Sequence, residues 1–126
     1  MAPLSDNLKV PVVGDPSDTR ATTKRPGEPW KYIFGSQPTS AEYGNTMAAY
    51  ALNELDMIKF AVIYNKGNAW ASQIAGAFVS YAMAHGGEIV AQETFNWGDT
   101  DFRAQLTNIK NSRPEAVFVP EYLMEA

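Results

Sequence analysis

Six residues carry the chemistry that this sequence offers a ligand: Ser17, Asp18, Thr19, Trp70, Glu121 and Tyr122. Each falls just after an apolar run that reads as a strand. In open α/β sheets, the edge where strands end is the edge where ligands bind. Small hydroxyls and free backbone N–H groups take a carboxylate, an acidic side chain takes an ammonium, and rings cover an apolar body. The set therefore suits a zwitterionic small molecule. A plainer reading stands beside it: Ser17 to Thr19 form a turn, Trp70 staples a helix start, and Tyr122 packs.

Catalytic and metal chemistry find little support. The chain has one histidine, His85, and no cysteine. Disulfides, thiol nucleophiles, Cys-zinc sites and multi-histidine metal sites are thereby excluded. His85 precedes Gly86-Gly87, where a helical pattern stops, and reads as a polar residue meeting the negative end of a helix dipole. Asp99 and Asp101 read as helix caps, since no third ligand lies near them in sequence. The serines lack the glycine-flanked elbow of a hydrolase nucleophile. The turn Asn65-Lys66-Gly67-Asn68-Ala69-Trp70 holds a single glycine, and no Gly-Lys-Ser/Thr occurs, so no phosphate loop is present. No catalytic residue, cofactor or metal is expected.

The elements that must position these residues follow from periodicity. Ser5 to Lys9 reads as a helix end or loop, and Val10 to Val13 as a short strand. Gly14 to Pro29 is a long loop with turn signals at Asp15-Pro16 and Pro26-Gly27. Trp30 to Phe34 is a second strand. Thr39 or Ser40 caps a helix in which Tyr43, Met47, Tyr50, Ala51 and Leu55 share a face. Lys59 to Tyr64 is near-continuously apolar, the pattern of a strand buried on both faces of a parallel sheet. Trp70, Ile74, Phe78 and Tyr81 mark a second helix, stopped by Gly86-Gly87 in a left-handed cap. Glu88 to Phe95 is a strand. Phe102, Leu106 and Ile109 mark a helix capped by Asp99 or Asp101, and Ala116 to Pro120 a last strand. Strands alternating with helices of this length predict right-handed crossovers and an α/β fold: a Rossmann-like parallel sheet with flanking helices.

Composition sets the outer limits. The 126 residues suit about one domain, and 45% hydrophobic content can build a core. Ten Lys+Arg against 14 Asp+Glu give a net charge of −4, the wrong sign for a nucleic-acid partner. No apolar run approaches a membrane span. Met1 to Val10 lacks a basic segment followed by an apolar one, so the chain as it stands is not expected to carry a signal peptide.

The motifs resemble a known family. Lys9-Val-Pro-Val-Val-Gly-Asp-Pro-Ser-Asp-Thr19 is similar to the strand and ligand loop of type I periplasmic binding proteins, above all the branched-chain amino-acid solute-binding components of ABC transporters. Trp30 to Ser40 resembles the strand that leaves the first lobe and crosses to the second. Phe60-Ala-Val-Ile-Tyr-Asn65, Phe78 to Val90, Asp101 to Lys110 and Pro114 to Tyr122 follow in family order. The resemblance covers nearly the whole chain.

It implies part of a two-lobed clamshell, with residues 1–36 as a remnant of the first lobe and 37–126 as a partial second lobe. It places Ser17, Asp18 and Thr19 on the ligand's carboxylate, Trp70 as the aromatic cover and Tyr122 at the end of the next-but-one strand. Asp18 stands where a small residue is usual, and Trp70 where a tyrosine is usual. The implied parent is an extracytoplasmic (periplasmic or cell-surface) binding protein, not an enzyme, whose partners are a small amino acid and an ABC permease. This chain reads as an internal fragment of it. Two other readings remain open: a ligand-sensing clamshell of a receptor or regulator, and a small Rossmann-like enzyme. Strands cut from their sheet would expose Val12, Val13, Tyr32, Ile33 and Phe34, so a homodimer is expected.

Overall fold

The structure is a computed structural model that describes residues 2–14, 22–25 and 27–121. It divides into two compact units, Met1–Ser40 and Ala41–Ala126.

The first unit opens with helix α1 (Ala2–Leu8), longer than the helix end expected at Ser5 to Lys9. Lys9, at φ +55°, turns the chain out of it. Pro11 has no N–H to give a ladder, so pairing begins one residue later, where Val12 N donates to Tyr32 O at 2.8 Å. Strand β1 is therefore Val12–Gly14 rather than Val10 to Val13. The segment read as one long loop contains a hairpin, β2 (Thr23–Arg25) and β3 (Glu28–Pro29), turned by Gly27 at φ +81°. Trp30 belongs to this hairpin through its N–H to Thr22 O, which leaves Ile33–Gly35 as strand β4. β1 and β4 pair in parallel, Val12 opposite Ile33. Asp6 ties the unit together: Oδ1 accepts from Lys31 N at 3.0 Å and Oδ2 pairs with Lys24 Nζ at 2.9 Å. The Lys24 ammonium also lies 4.9 Å from the Trp30 ring centroid. No apolar side chain among the described residues of this unit is buried.

The second unit follows the expected alternation closely. Helix α2 (Ser40–Asn53), strand β5 (Lys59–Asn65), helix α3 (Ala69–Ala84), strand β6 (Glu88–Phe95), helix α4 (Arg103–Ser112) and strand β7 (Ala116–Phe118) follow in turn. The sheet is parallel in the order β6-β5-β7. β5 is central and buried on both faces, because each of its alternating side-chain sets has a helix layer to meet. Phe60 and Val62 join Ala48, Ala75, Phe78 and Ala82 from α2 and α3. Ala61 and Ile63 join Phe95 and Ile109 on the α4 side. Phe78 anchors the first layer, edge-on to Phe60 at 5.4 Å and stacked on Phe118 at 4.2 Å.

α3 ends as its sequence predicts. Gly86 takes φ +91°, and Gly87 N reaches back to Ala82 O at 2.7 Å, closing a Schellman motif. Two expectations change. β7 stops at Phe118, short of Pro120. The N-cap of α4 is Phe102, not an aspartate. Asp101 instead sits one residue outside, accepting from Arg103 N at 3.1 Å and gripping its guanidinium, while Asp99 accepts from Asn96 N at 2.8 Å. Among the described residues, no helix is long and apolar enough to cross a membrane.

Candidate functional site

The carboxyl edge of the β6-β5-β7 sheet is built around Asn65, the last residue of β5, whose side chain is 1% exposed. Its Oδ1 accepts from Gly67 N at 2.9 Å, and its carbonyl accepts from Asn68 N at 3.1 Å, so one asparagine closes the turn on both sides. Asn68 is then the N-cap of α3. Its Oδ1 accepts from Trp70 N at 3.0 Å and Ala71 N at 3.3 Å. Lys66 N donates to Phe95 O, bracing the turn on β6, and Asn65 N donates to Glu121 Oε1 at 2.6 Å, bracing it on the segment after β7.

Beyond β6 the chain makes a second tight turn. Asn96 N donates to Asp99 Oδ2 and Asp99 N donates back to Asn96 O at 3.1 Å, around Gly98 at φ +83°. Trp97 stands at its apex, 73% exposed. It lines two open grooves. One, of about 430 Å³, runs along its own turn; the other, of about 420 Å³, faces Asn65, Gly67, Asn68 and Ala69.

Of the residues expected from sequence, Ser17, Asp18, Thr19 and Tyr122 lie outside the described residues. Trp70 and Glu121 are both at this edge. Trp70 is the second residue of α3 and half-buried, with its N–H held by the Asn68 cap. One Glu121 carboxylate oxygen accepts from Asn65 N, so it acts as a strut between the end of β5 and the segment after β7. Asn65, Asn68 and Trp97 were not singled out by sequence. The signal for the first two is an asparagine on each side of a glycine straight after an apolar run, since asparagine closes turns and caps helices. For Trp97 the Asn-Trp-Gly-Asp turn is itself the signal.

His85 sits at the other end of α3, its Nδ1 2.8 Å from the Tyr81 carbonyl and its ring stacked on Tyr81, the helix-end role its position suggested. Asp101 is held below the usual carboxylate range by its hydrogen bond to the Arg103 side chain, an exposed local pair. Among the described residues no group of three acidic or histidine side chains could hold a metal ion.

The turn from Asn65 to Ala71 thus commits most of its own N–H groups, and Trp97 walls the groove beside it. A model of the periplasmic binding protein family matches residues 1–120. The chain belongs to the periplasmic binding protein family.

Solved structures of the same type place its fold. It is 29% identical, with a TM-score of 0.73, to the branched-chain amino-acid transporter substrate-binding protein LivJ of Streptococcus pneumoniae in complex with isoleucine, over 97% of this chain and 33% of that one. A solute-binding protein of an ABC transporter from Rhodopseudomonas palustris, in complex with 3,4-dihydroxybenzoic acid, is 26% identical over 94% of this chain and 31% of that one, with a TM-score of 0.62. The leucine-binding protein LivK of Thermotoga maritima shares the fold at 23% identity and a TM-score of 0.73, over 94% of this chain and 32% of that one. This periplasmic binding protein thus spans about a third of the length of the solved structures it matches. Among curated proteins no match is found.

Proposed function

We propose that this chain is part of the solute-binding component of an ABC importer for branched-chain or related amino acids, working outside the cytoplasm and delivering its ligand to a permease. The family match over residues 1–120 carries the reading. In it, residues 1–36 belong to a first lobe and 37–126 to a second. Ser17, Asp18 and Thr19 serve the ligand's carboxylate through hydroxyls and backbone N–H groups. Glu121 serves the ammonium, and Trp70 and Tyr122 contribute apolar cover. Closure of the intact protein follows from ligand contacts made in the closed state and lost in the open one.

The isotope-labelled 126-residue chain, titrated with L-isoleucine, L-leucine or L-valine by NMR, tests this. Burying most of a small ligand needs both walls of a cleft, so the expected affinity is weak, about millimolar. Shifts should concentrate at Ser17 to Thr19, Trp70, Glu121 and Tyr122. No response to the three amino acids at saturating concentration would remove the amino-acid assignment. A response to a nucleotide instead would favour a Rossmann-like enzyme.

A further inference from the structure

We propose that Trp97 selects the side chain of the ligand and that the Asn65 side-chain amide donates to its carboxylate, so that this edge is built for an aromatic amino acid. The proposal rests on the solute-binding reading above and names the ligand class for the same edge.

Tryptophan is buried on average in folded chains, yet the Trp97 indole is 73% exposed. Its exposure is not that of a loose loop. The Asn96–Asp99 pair of hydrogen bonds and the positive φ of Gly98 fix the turn that presents it. It also stands where ligands of parallel sheets bind, immediately beyond β6, and both grooves at this edge share it as a wall.

In the second groove Trp97 faces small residues. Gly67 has no side chain, and Ala69 carries only a methyl group. A Cβ built on Gly67 would lie 3.3 Å from Asn65 Oδ1, tighter than an ordinary contact, so glycine suits this wall of the groove. An indole opposite glycine and alanine leaves a slot for a flat group. Ring-on-ring contact adds to simple area burial, which an aliphatic side chain does not gain. Trp70, the aromatic expected from sequence, begins one residue later, and Ala69 takes the place on the groove.

Asn65 supplies the polar end. Its Oδ1 is committed to Gly67 N, which fixes the orientation of the amide, and its Nδ2 is buried with no hydrogen-bond partner among the described residues. A buried donor without an acceptor costs free energy, and Asn65 lines the same groove as Trp97. Its backbone N–H is already committed to Glu121 Oε1 at 2.6 Å, so the donor that Asn65 has to offer is the side-chain Nδ2.

The test is an NMR titration of the 126-residue chain with L-phenylalanine and L-leucine, which share a head group and differ in the side chain. Phenylalanine should bind about 2- to 10-fold more tightly than leucine and move the Trp97 indole N–H and the Asn65 side-chain amide signals. Trp97→Ala should bring the ratio to about 1, and Trp97→Phe should retain the preference. Asn65→Asp keeps the acceptor for Gly67 N but replaces the donor, and should weaken both amino acids at least about 10-fold without changing their ratio. Equal binding of the two amino acids, a preference that survives Trp97→Ala, or unaltered affinity in Asn65→Asp would overturn the proposal. If leucine shifts Trp70 and Glu121 while neither amino acid moves Trp97 or Asn65, the solute-binding reading stands and this inference fails. If nothing at the edge responds to either amino acid, both fail.

Discussion

Gly44→Ala sets two effects against each other, and the structure decides the sign. Inside a helix, alanine is favoured over glycine by ~1 kcal/mol. Gly44, however, is where α2 meets α3. A Cβ there would strike the Ile74 carbonyl oxygen and lie 2.7 Å from both Ala77 Cβ and Phe78 N. Ordinary carbon contacts need ~3.5 Å or more. Two of the three obstacles are backbone atoms of a helix, which cannot rotate away, so the helices must part by roughly 0.8 Å. Phe78 would move with α3 and loosen its contacts with Phe60 and Phe118. Overpacking of this kind costs ~1–3 kcal/mol, and a backbone obstacle puts it at the upper end. Subtracting the propensity gain leaves a net destabilisation of ~2 kcal/mol. Gly76 in α3 is the matched control, since a Cβ there meets nothing within 4 Å. Gly76→Ala should stabilise by ~0.5–1 kcal/mol. Urea unfolding followed by far-ultraviolet circular dichroism, which reports the helices, measures both. If Gly44→Ala raises the midpoint as Gly76→Ala does, α2 and α3 do not pack as described.

Acid sensitivity has a named contributor. Glu115 Oε2 accepts from Lys59 N at 2.9 Å and from Ile58 N at 2.6 Å, and these bonds hold its pKa below the ordinary 4.5. A carboxylate depressed on folding stabilises fully above the unfolded value and loses that stabilisation as the pH falls through the folded one. Glu115→Gln should therefore flatten the stability profile below about pH 4.5, and superimposable acid limbs would count against the assignment; Asp6 and Asp101, lowered in the same direction, keep some acid dependence in the variant. The chain should also self-associate, because Val13 and Phe34 on the two strands of the β1–β4 pair are 72% and 51% exposed. Light scattering should show a dimer that Val13→Asp weakens, and a monomer at every concentration would refute it.

The second unit was legible because its signals are local and agree with one another. Phe60 to Ile63 is an unbroken apolar run that only a strand with a layer on each face can bury. Gly86-Gly87 ends α3 where a left-handed residue is needed. The first unit was less legible because its order comes from contacts far apart in sequence. Thr23-Lys24-Arg25 has no apolar face for periodicity to detect. The hairpin it begins is held by the Arg25–Glu28 ion pair and by Asp6, whose partners are Lys24 and Lys31. The site shows the same division. Trp70 was chosen for its type and its place after the Lys59 to Tyr64 strand. Helix geometry adds what that reading lacked: with Asn68 as N-cap, Ala69 is the first helical residue and lines the groove. Trp97 gave no periodic signal, since a turn has no period.

The N–H groups at this edge also constrain how a ligand can approach it. The backbone donors of Asn65, Lys66, Gly67, Asn68, Trp70 and Ala71 are committed to Glu121, Phe95, Asn65 and Asn68. The start of α3, a natural anion site in many folds, thus has Trp70 N and Ala71 N already taken by its own cap. On the proposed reading a ligand carboxylate gains one side-chain donor here, Asn65 Nδ2. A carboxylate is held by several hydrogen bonds, so Asn65 supplies one of the set. On the same reading the remaining bonds fall to Ser17 and Thr19, whose hydroxyls have the chemistry to supply them.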